Sequence, residues 1–246
     1  MVDIPVKRYR VRRARNWLRR KLVRFPVRAG TVAGKWAKPD RDRFPPRSQA
    51  DVPGLGRYEY SWLSQNVDFF NFAAKKHGID DRARAVQVFI TRAHLENLLT
   101  SNGVPRDIDF LSLDVAGNDY WFWETLECVS PRVVCIGYNA GLGPDPSVTV
   151  PCDDAFERFS KHPSGFFHGA SLVALTALGK HKGYYLIGCD STGTNAFYLR
   201  DDVRIEGGVP ELTPREAFRP HANWLGRGIS EAEQLEFMAE MPYEEV

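Results

Sequence analysis

The hydrophobic pattern of this 246-residue chain changes period from one stretch to the next. Short apolar runs occupy 57–63 (RYEYSWL), 85–91 (AVQVFIT), 108–115 (IDFLSLDV), 132–139 (RVVCIGYN), 184–189 (YYLIGC) and 196–200 (AFYLR). They are rich in β-branched and aromatic residues, which suits buried strands. Between them, 66–77, 93–103, 118–129 and 169–183 carry apolar residues at the helical spacing of three and four. Asn66 is placed to cap the first of these helices and Gly103 to end the second. Alternating β and α units predict a mostly parallel sheet with helices on both faces. The last two runs, joined by DSTGTN, predict an antiparallel hairpin. Tyr120, Trp121, Phe122 and Trp123 follow one another, and one helical stripe cannot bury all four; Trp123 is assigned to the core and Trp121 stays undecided. The acidic tail 231–246 predicts a short amphipathic helix.

The first 56 residues follow another pattern. Residues 6–25 (VKRYRVRRARNWLRRKLVRF) place Val11, Ala14, Trp17, Leu18, Leu22 and Phe25 on one stripe of a cationic helix. Residues 26–56 are broken by proline and glycine and predict a linker. The chain thus divides into a basic arm (1–25), a linker (26–56) and an α/β domain with an acidic tail (57–246). Net charge sharpens the division. Residues 1–50 hold sixteen Lys and Arg against three Asp, whereas 51–246 hold seventeen against twenty-eight Asp and Glu. A cationic amphipathic arm suits a protein partner, an anionic membrane surface or packing on the acidic body. Nucleic acid is not an expected partner, because no aromatic residues are interleaved as stacking platforms.

The four cysteines, Cys128, Cys135, Cys152 and Cys189, form no C-x-x-C pair, so no metal site is expected. Cys135 and Cys189 sit in apolar runs and read as small buried hydrophobes. No apolar run reaches membrane-spanning length and the basic N-terminus lacks an apolar secretory core, so the expected location is cytoplasmic, with peripheral membrane contact through the arm.

Open α/β sheets keep their chemistry at the carboxyl ends of strands. Here those ends are Ser64-Gln65-Asn66, Ile90-Thr91, Asp114 to Gly117, and Tyr138-Asn139. Four segments carry a resemblance: DIDFLSLDVAGNDYWFWETL, PRVVCIGYNAGLGP, GASLVALTALGKHKGYYLIGC and TNAFYLRDDV. Together they resemble FkbM-type S-adenosylmethionine-dependent methyltransferases over roughly residues 60–203. The resemblance implies the Rossmann-like class I methyltransferase fold, whose last hairpin is antiparallel, with S-adenosylmethionine as cofactor. It also implies cofactor contacts from Ser64, Gln65, Asn66, Asp114, Asn118 and Asn139.

The chain departs from that family pattern at four places. No strand-borne glycine-rich cofactor loop is recognisable; RAGTVAGKW and VPGLGRYEY are the nearest stretches. Ser64, Gln65 and Asn66 stand where an acid commonly binds the ribose hydroxyls. Ala116 replaces the second acid of D-I-D-G, and Gly137 replaces the glutamate of V-I-E-Y-N.

The catalytic candidates are Asp114, His168 and Asp119. Asp114 reads either as a proton acceptor and ligand contact or as an acceptor of backbone N–H groups in the turn. Asn118 or Asp119 reads as a helix N-cap, with a site role as the alternative. His168 reads as a proton acceptor or as a packing residue ahead of a helix. The expected activity is methyl transfer to an oxygen of a small molecule or glycan. The alternative is a catalytically inactive methyltransferase-fold partner protein that has lost the cofactor loop.

Overall fold

The computed structural model describes residues 88–115, 117–203 and 205–246, with residues 68, 71, 72, 75–77, 85 and 86. The basic arm, the linker, the predicted strand 57–63 and the candidates Ser64, Gln65 and Asn66 lie outside the described residues. Asp68, Asn71, Phe72, Lys75 and Lys76 are helical, within the helix predicted over 66–77.

Four strands form the main sheet: β1 (Asp107–Leu113), β2 (Ser130–Gly137), β4 (Tyr184–Cys189) and β5 (Asn195–Arg200). Their order is β1-β2-β5-β4. β1 pairs with β2 in parallel, while β5 runs antiparallel to both β2 and β4. The fold is mixed α/β, and the sheet is mixed rather than mostly parallel. The reason is local. The DSTGTN turn folds β5 straight back along β4, and β5 then fills the place between β4 and β2. A second, two-stranded sheet joins β3 (Val148–Thr149) to β6 (Glu244–Glu245).

Leu111, Leu113, Val134, Ile136, Leu186, Ala196 and Tyr198 belong to the principal apolar cluster. α1 (Leu95–Ser101), α2 (Asp119–Thr125) and α4 (Leu172–His181) contribute Leu95, Trp123 and Leu175 to it. Trp123 lies 5.0 Å from Tyr198 and 5.9 Å from Tyr184, ring to ring. α4 starts where Ser171 Oγ accepts the Ala174 N–H, the capping bond this residue type supplies. Val133, Cys135 and Leu199, which point the other way along their strands, are buried as well.

Two further sequence expectations change. The run 85–91 is not a strand at any described position. The Asn71 side chain accepts the Ala85 N–H at 2.9 Å and donates to its carbonyl at 3.1 Å, taking both groups that a ladder would need. Val86, Val88 and Phe89 are exposed instead. The helix 118–129 stops at Thr125, where Leu126 turns extended. Glu96 Oε1 then accepts the N–H groups of Glu127 and Cys128, each at 2.7 Å, and feeds the chain into β2. Within α2, Tyr120, Phe122 and Trp123 are all buried, and Trp121 is half-buried with its Nε1 donating to the Val150 carbonyl. More of the aromatic run is covered than one stripe allows, because strands, α4 and the 150s loop meet α2 from different sides.

The remaining elements wrap the carboxyl edge of the sheet. They are α3 (Arg158–Lys161), α5 (Pro214–Ala217), α6 (Ala222–Leu225) and α7 (Glu231–Met238). α7 realises the helix expected in the acidic tail and starts at a capping box between Ser230 and Glu233. No described helix is long and apolar enough to cross a membrane. The four cysteines are free thiols. Burial pushes the Cys135 and Cys189 thiols up to about 12.

Candidate functional site

The sheet topology brings four chain segments to one edge. Asp114 follows β1, Gly137 and Tyr138 end β2, Asp190 follows β4, and Thr194-Asn195 opens β5 from the same side. Asp190 accepts hydrogen bonds from the N–H groups of Thr192 and Thr194, both threonine hydroxyls and Asn195 Nδ2. Burial would raise its carboxyl, but these donors outweigh it and hold the group below the usual range. Asp190 is therefore the organiser of the hairpin turn.

Asp119 is buried at the start of α2. Its carboxylate accepts the Val115 N–H at 3.0 Å and the Gly117 N–H at 3.1 Å, holding the turn that leaves β1. Burial is the main cause that lifts its carboxyl to about 6, and the charge of Asp114 adds to the lift. Gly137 belongs to the same arrangement. A Cβ there would sit 3.4 Å from Asp119 Oδ1. A glutamate at 137 would bring a second carboxylate against one already hard to ionise, which explains physically why glycine suits this position.

Asn118 is the helix N-cap by position, yet its side chain does not cap. Its Nδ2 donates to the Asp153 carbonyl at 2.6 Å, tying the 150s loop to the turn. That loop also sets Phe156 against Gly117, where any Cβ would overlap the ring. Asn139 is fully buried. Its Oδ1 accepts the Gly141 N–H at 3.0 Å, and its Nδ2 donates to the carbonyls of Phe166 (2.8 Å) and His168 (2.9 Å). Asn118 and Asn139, the two described amides among the expected cofactor contacts, thus bond the protein's own backbone.

Asp114 is half-exposed, and its charge acts on Asp119, Cys135 and Arg158. Arg158 donates through Nε and a terminal nitrogen to the Gly165 carbonyl. Burial lowers its guanidinium pKa, against the pull of Glu157, Asp114 and Tyr243. His168 Nδ1 lies 3.0 Å from the Phe166 carbonyl, so this nitrogen carries the proton in that bond and Nε2 is the basic one. Its ring stands edge-on to Trp224 at 5.9 Å. The structure thus forms two groups: Asp114 with Asp119 and Arg158, and Asn139 with the backbone of His168. Arg158, His221 and Trp224 were missed in the sequence, where no periodic signal marks them.

The segment after residue 205 covers this edge. Tyr138 donates its hydroxyl to the Arg219 carbonyl at 2.7 Å. Gly193, at φ +67°, lets the hairpin turn press against the carbonyls of Arg219 and Pro220. His221 stacks flat on Trp224 at 4.0 Å, with its Nδ1 buried and unpartnered. Burial lowers the His221 pKa. Met238 enters a notch over Gly141, where a Cβ would stand 2.6 Å from its terminal methyl.

A cavity of about 330 Å³ lies at the opposite end, where β2 and β4 begin, between Trp123, Leu126, Lys182 and Tyr184. Two of its polar side chains are already paired: Tyr184 donates to the Pro131 carbonyl, and Lys182 binds Glu127. No cluster of metal-ligating side chains occurs among the described residues. Comparison with protein-family models, curated proteins and solved structures finds no match to this chain.

Proposed function

We propose that this chain is a methyltransferase-like protein that transfers a methyl group to an oxygen of a small molecule or glycan, with S-adenosylmethionine as donor. The observation that carries the reading is the sheet's terminal arrangement: β5 lies antiparallel between β2 and β4. An antiparallel closing hairpin is what the sequence resemblance implies, which supports the reading, and Asp114 follows β1 at its carboxyl end, where its charge acts on Arg158. The described residues suit the acceptor side of such a site rather than the cofactor side, because Asn118 and Asn139 face inward. Asp114 is the proton acceptor in this reading. It removes the hydroxyl proton while the surrounding residues hold the acceptor oxygen in line and exclude water.

A second reading has its own support. The inward commitment of Asn118, Asp119 and Asn139, together with the covered edge, suits a non-catalytic partner protein that keeps the scaffold. Calorimetric titration with S-adenosylmethionine and S-adenosylhomocysteine separates the two, run alongside Asp114→Ala. The enzyme reading expects saturable binding, and product formation with an acceptor that is lost in the variant. Absence of heat and of any thermal shift at millimolar ligand would sink it in favour of the partner reading.

A further inference from the structure

α7 is turned the unexpected way. Gln234 is 1% exposed, whereas Leu235 and Phe237 are 47% and 50% exposed. Two contacts lock that orientation: Gln234 Nε2 donates to the Ile229 carbonyl at 3.1 Å, and Met238 occupies the Gly141 notch. The Ser230–Glu233 capping box fixes where the helix starts. The exposed apolar surface continues beyond α7. Phe237 packs 5.4 Å from Phe166, whose other neighbour Trp224 precedes exposed Leu225. The tail that carries α7 is acidic, although Arg227 borders Leu225. Residues 228–246 contain Glu231, Glu233, Glu236, Glu240, Glu244 and Glu245, and no lysine or arginine. Glu231 and Glu233 stand one turn before Leu235 and Phe237, so acid and apolar groups share one face.

We propose that this face is the docking site of the chain's own basic arm, residues 6–25. The arm supplies the complementary pattern in its sequence: Trp17, Leu18, Leu22 and Phe25 at helical spacing, with Lys21 among them, Lys7 ahead of them and arginines to either side. A second copy would bring the same acidic face against itself, and an anionic membrane would be repelled. Reach does not limit the contact, because residues 26–56 extend up to about 100 Å. Docking places Leu235 and Phe237 under the arm's apolar stripe and pairs its cations with the α7 glutamates. It also sets the arm on the element that closes the sheet's carboxyl edge. The inference is independent of methyl transfer.

The test is zero-length carbodiimide cross-linking of the full chain, using a mixture of isotope-labelled and unlabelled protein read by mass spectrometry. The expected result is amide links from Lys7 or Lys21 to Glu231, Glu233, Glu236 or Glu240 within one chain. They should fall about fivefold at about 0.5 M salt, where charge attraction is screened within a few ångströms. They should fall as far in Leu235→Ser/Phe237→Ser, and again in Trp17→Ser/Leu22→Ser, which changes the arm's side of the contact. Three results would overturn the proposal: no links to α7, links only between labelled and unlabelled chains, or links indifferent to both double variants.

Discussion

The sheet and the segment that covers its carboxyl edge are held together by different physics. Around the sheet, Trp123, Tyr198, Leu186, Leu175 and their neighbours form one continuous apolar cluster, so its stability is shared among many contacts. The cover has a much smaller cluster: Leu142, Phe166, Trp224 and Met238. Ala217, Leu212 and Phe218 anchor it to the principal cluster at one place; elsewhere polar bonds fasten it, from Tyr138 to Arg219, from Asn139 to the 166–168 backbone and from Gln234 to Ile229. A region held by spread-out burial yields as a whole. A region held by a few bonds can open locally while the rest stays folded.

The sharpest way to break this contrast is a pair of truncations. Trp123→Ala removes the largest fully buried side chain, which α2 packs on the sheet, and should cost about 3–5 kcal/mol. Asn139→Ala strands the Gly141 N–H and the two carbonyls that its amide serves, at about 1–3 kcal/mol for each buried group left unpaired. Hydrogen exchange distinguishes them. The tryptophan variant should speed exchange everywhere, and the asparagine variant chiefly in 166–170 and 218–246. Uniform acceleration in both would mean that sheet and cover are one cooperative unit.

The next effect depends on pH. Asp119 has a folded pKa of about 6 against 3.8 in the unfolded chain. Between those values the unfolded state releases its proton first, so stability falls as pH rises from about 4 to about 6 and is level above that. Two units correspond to about 3 kcal/mol. Urea midpoints measured from pH 4 to pH 7 should show this decline in the wild type and not in Asp119→Asn. The variant should be weaker near pH 4 by about one hydrogen bond, because its amide oxygen replaces only one of the two carboxylate oxygens that receive the Val115 and Gly117 N–H groups, and the two curves should cross before pH 7, where the wild type has lost more than that. Parallel curves for the two proteins would show that Asp119 ionises normally and that its burial is overcome by its donors.

These regions also differ in how much of them can be read from sequence. β1, β2, β4, β5, α1 and α4 announce themselves because their burial follows a local period. Run 85–91 misleads for the opposite reason: its composition is strand-like, but Asn71, fourteen residues earlier, takes the backbone groups of Ala85. The site shows the same limit. Asp114 is placed correctly at a strand end by pattern alone. The inward turn of Asn118 and Asn139 depends on Asp153, Phe166 and His168, which lie 27 to 35 residues further on. Arg158 and His221 reach the edge through loops that carry no period. Ser64, Gln65 and Asn66 lie outside the described residues, so their part of the resemblance rests on sequence.

The smallest expected effect isolates one fastening. Tyr138 is buried, and its hydroxyl both donates to the Arg219 carbonyl and accepts the Arg219 N–H at 3.3 Å. Tyr138→Phe keeps the ring, its 6.4 Å contact with Phe218 and the volume of the core. It removes only the oxygen, for about 1 kcal/mol. Because Arg219 lies on the cover and Tyr138 ends β2, that loss should appear as faster exchange and earlier proteolysis near 218–224, with the sheet's amides unchanged. Burial also lifts the Tyr138 phenol well above its ordinary range, so the bond should persist unaltered across neutral pH. If the variant loosens the sheet equally, the hydroxyl is part of the core's cohesion and the cover is not a separately fastened unit. If it loosens neither region, Gly193 against the Arg219 and Pro220 carbonyls, together with His221 on Trp224, is enough to hold the cover in place.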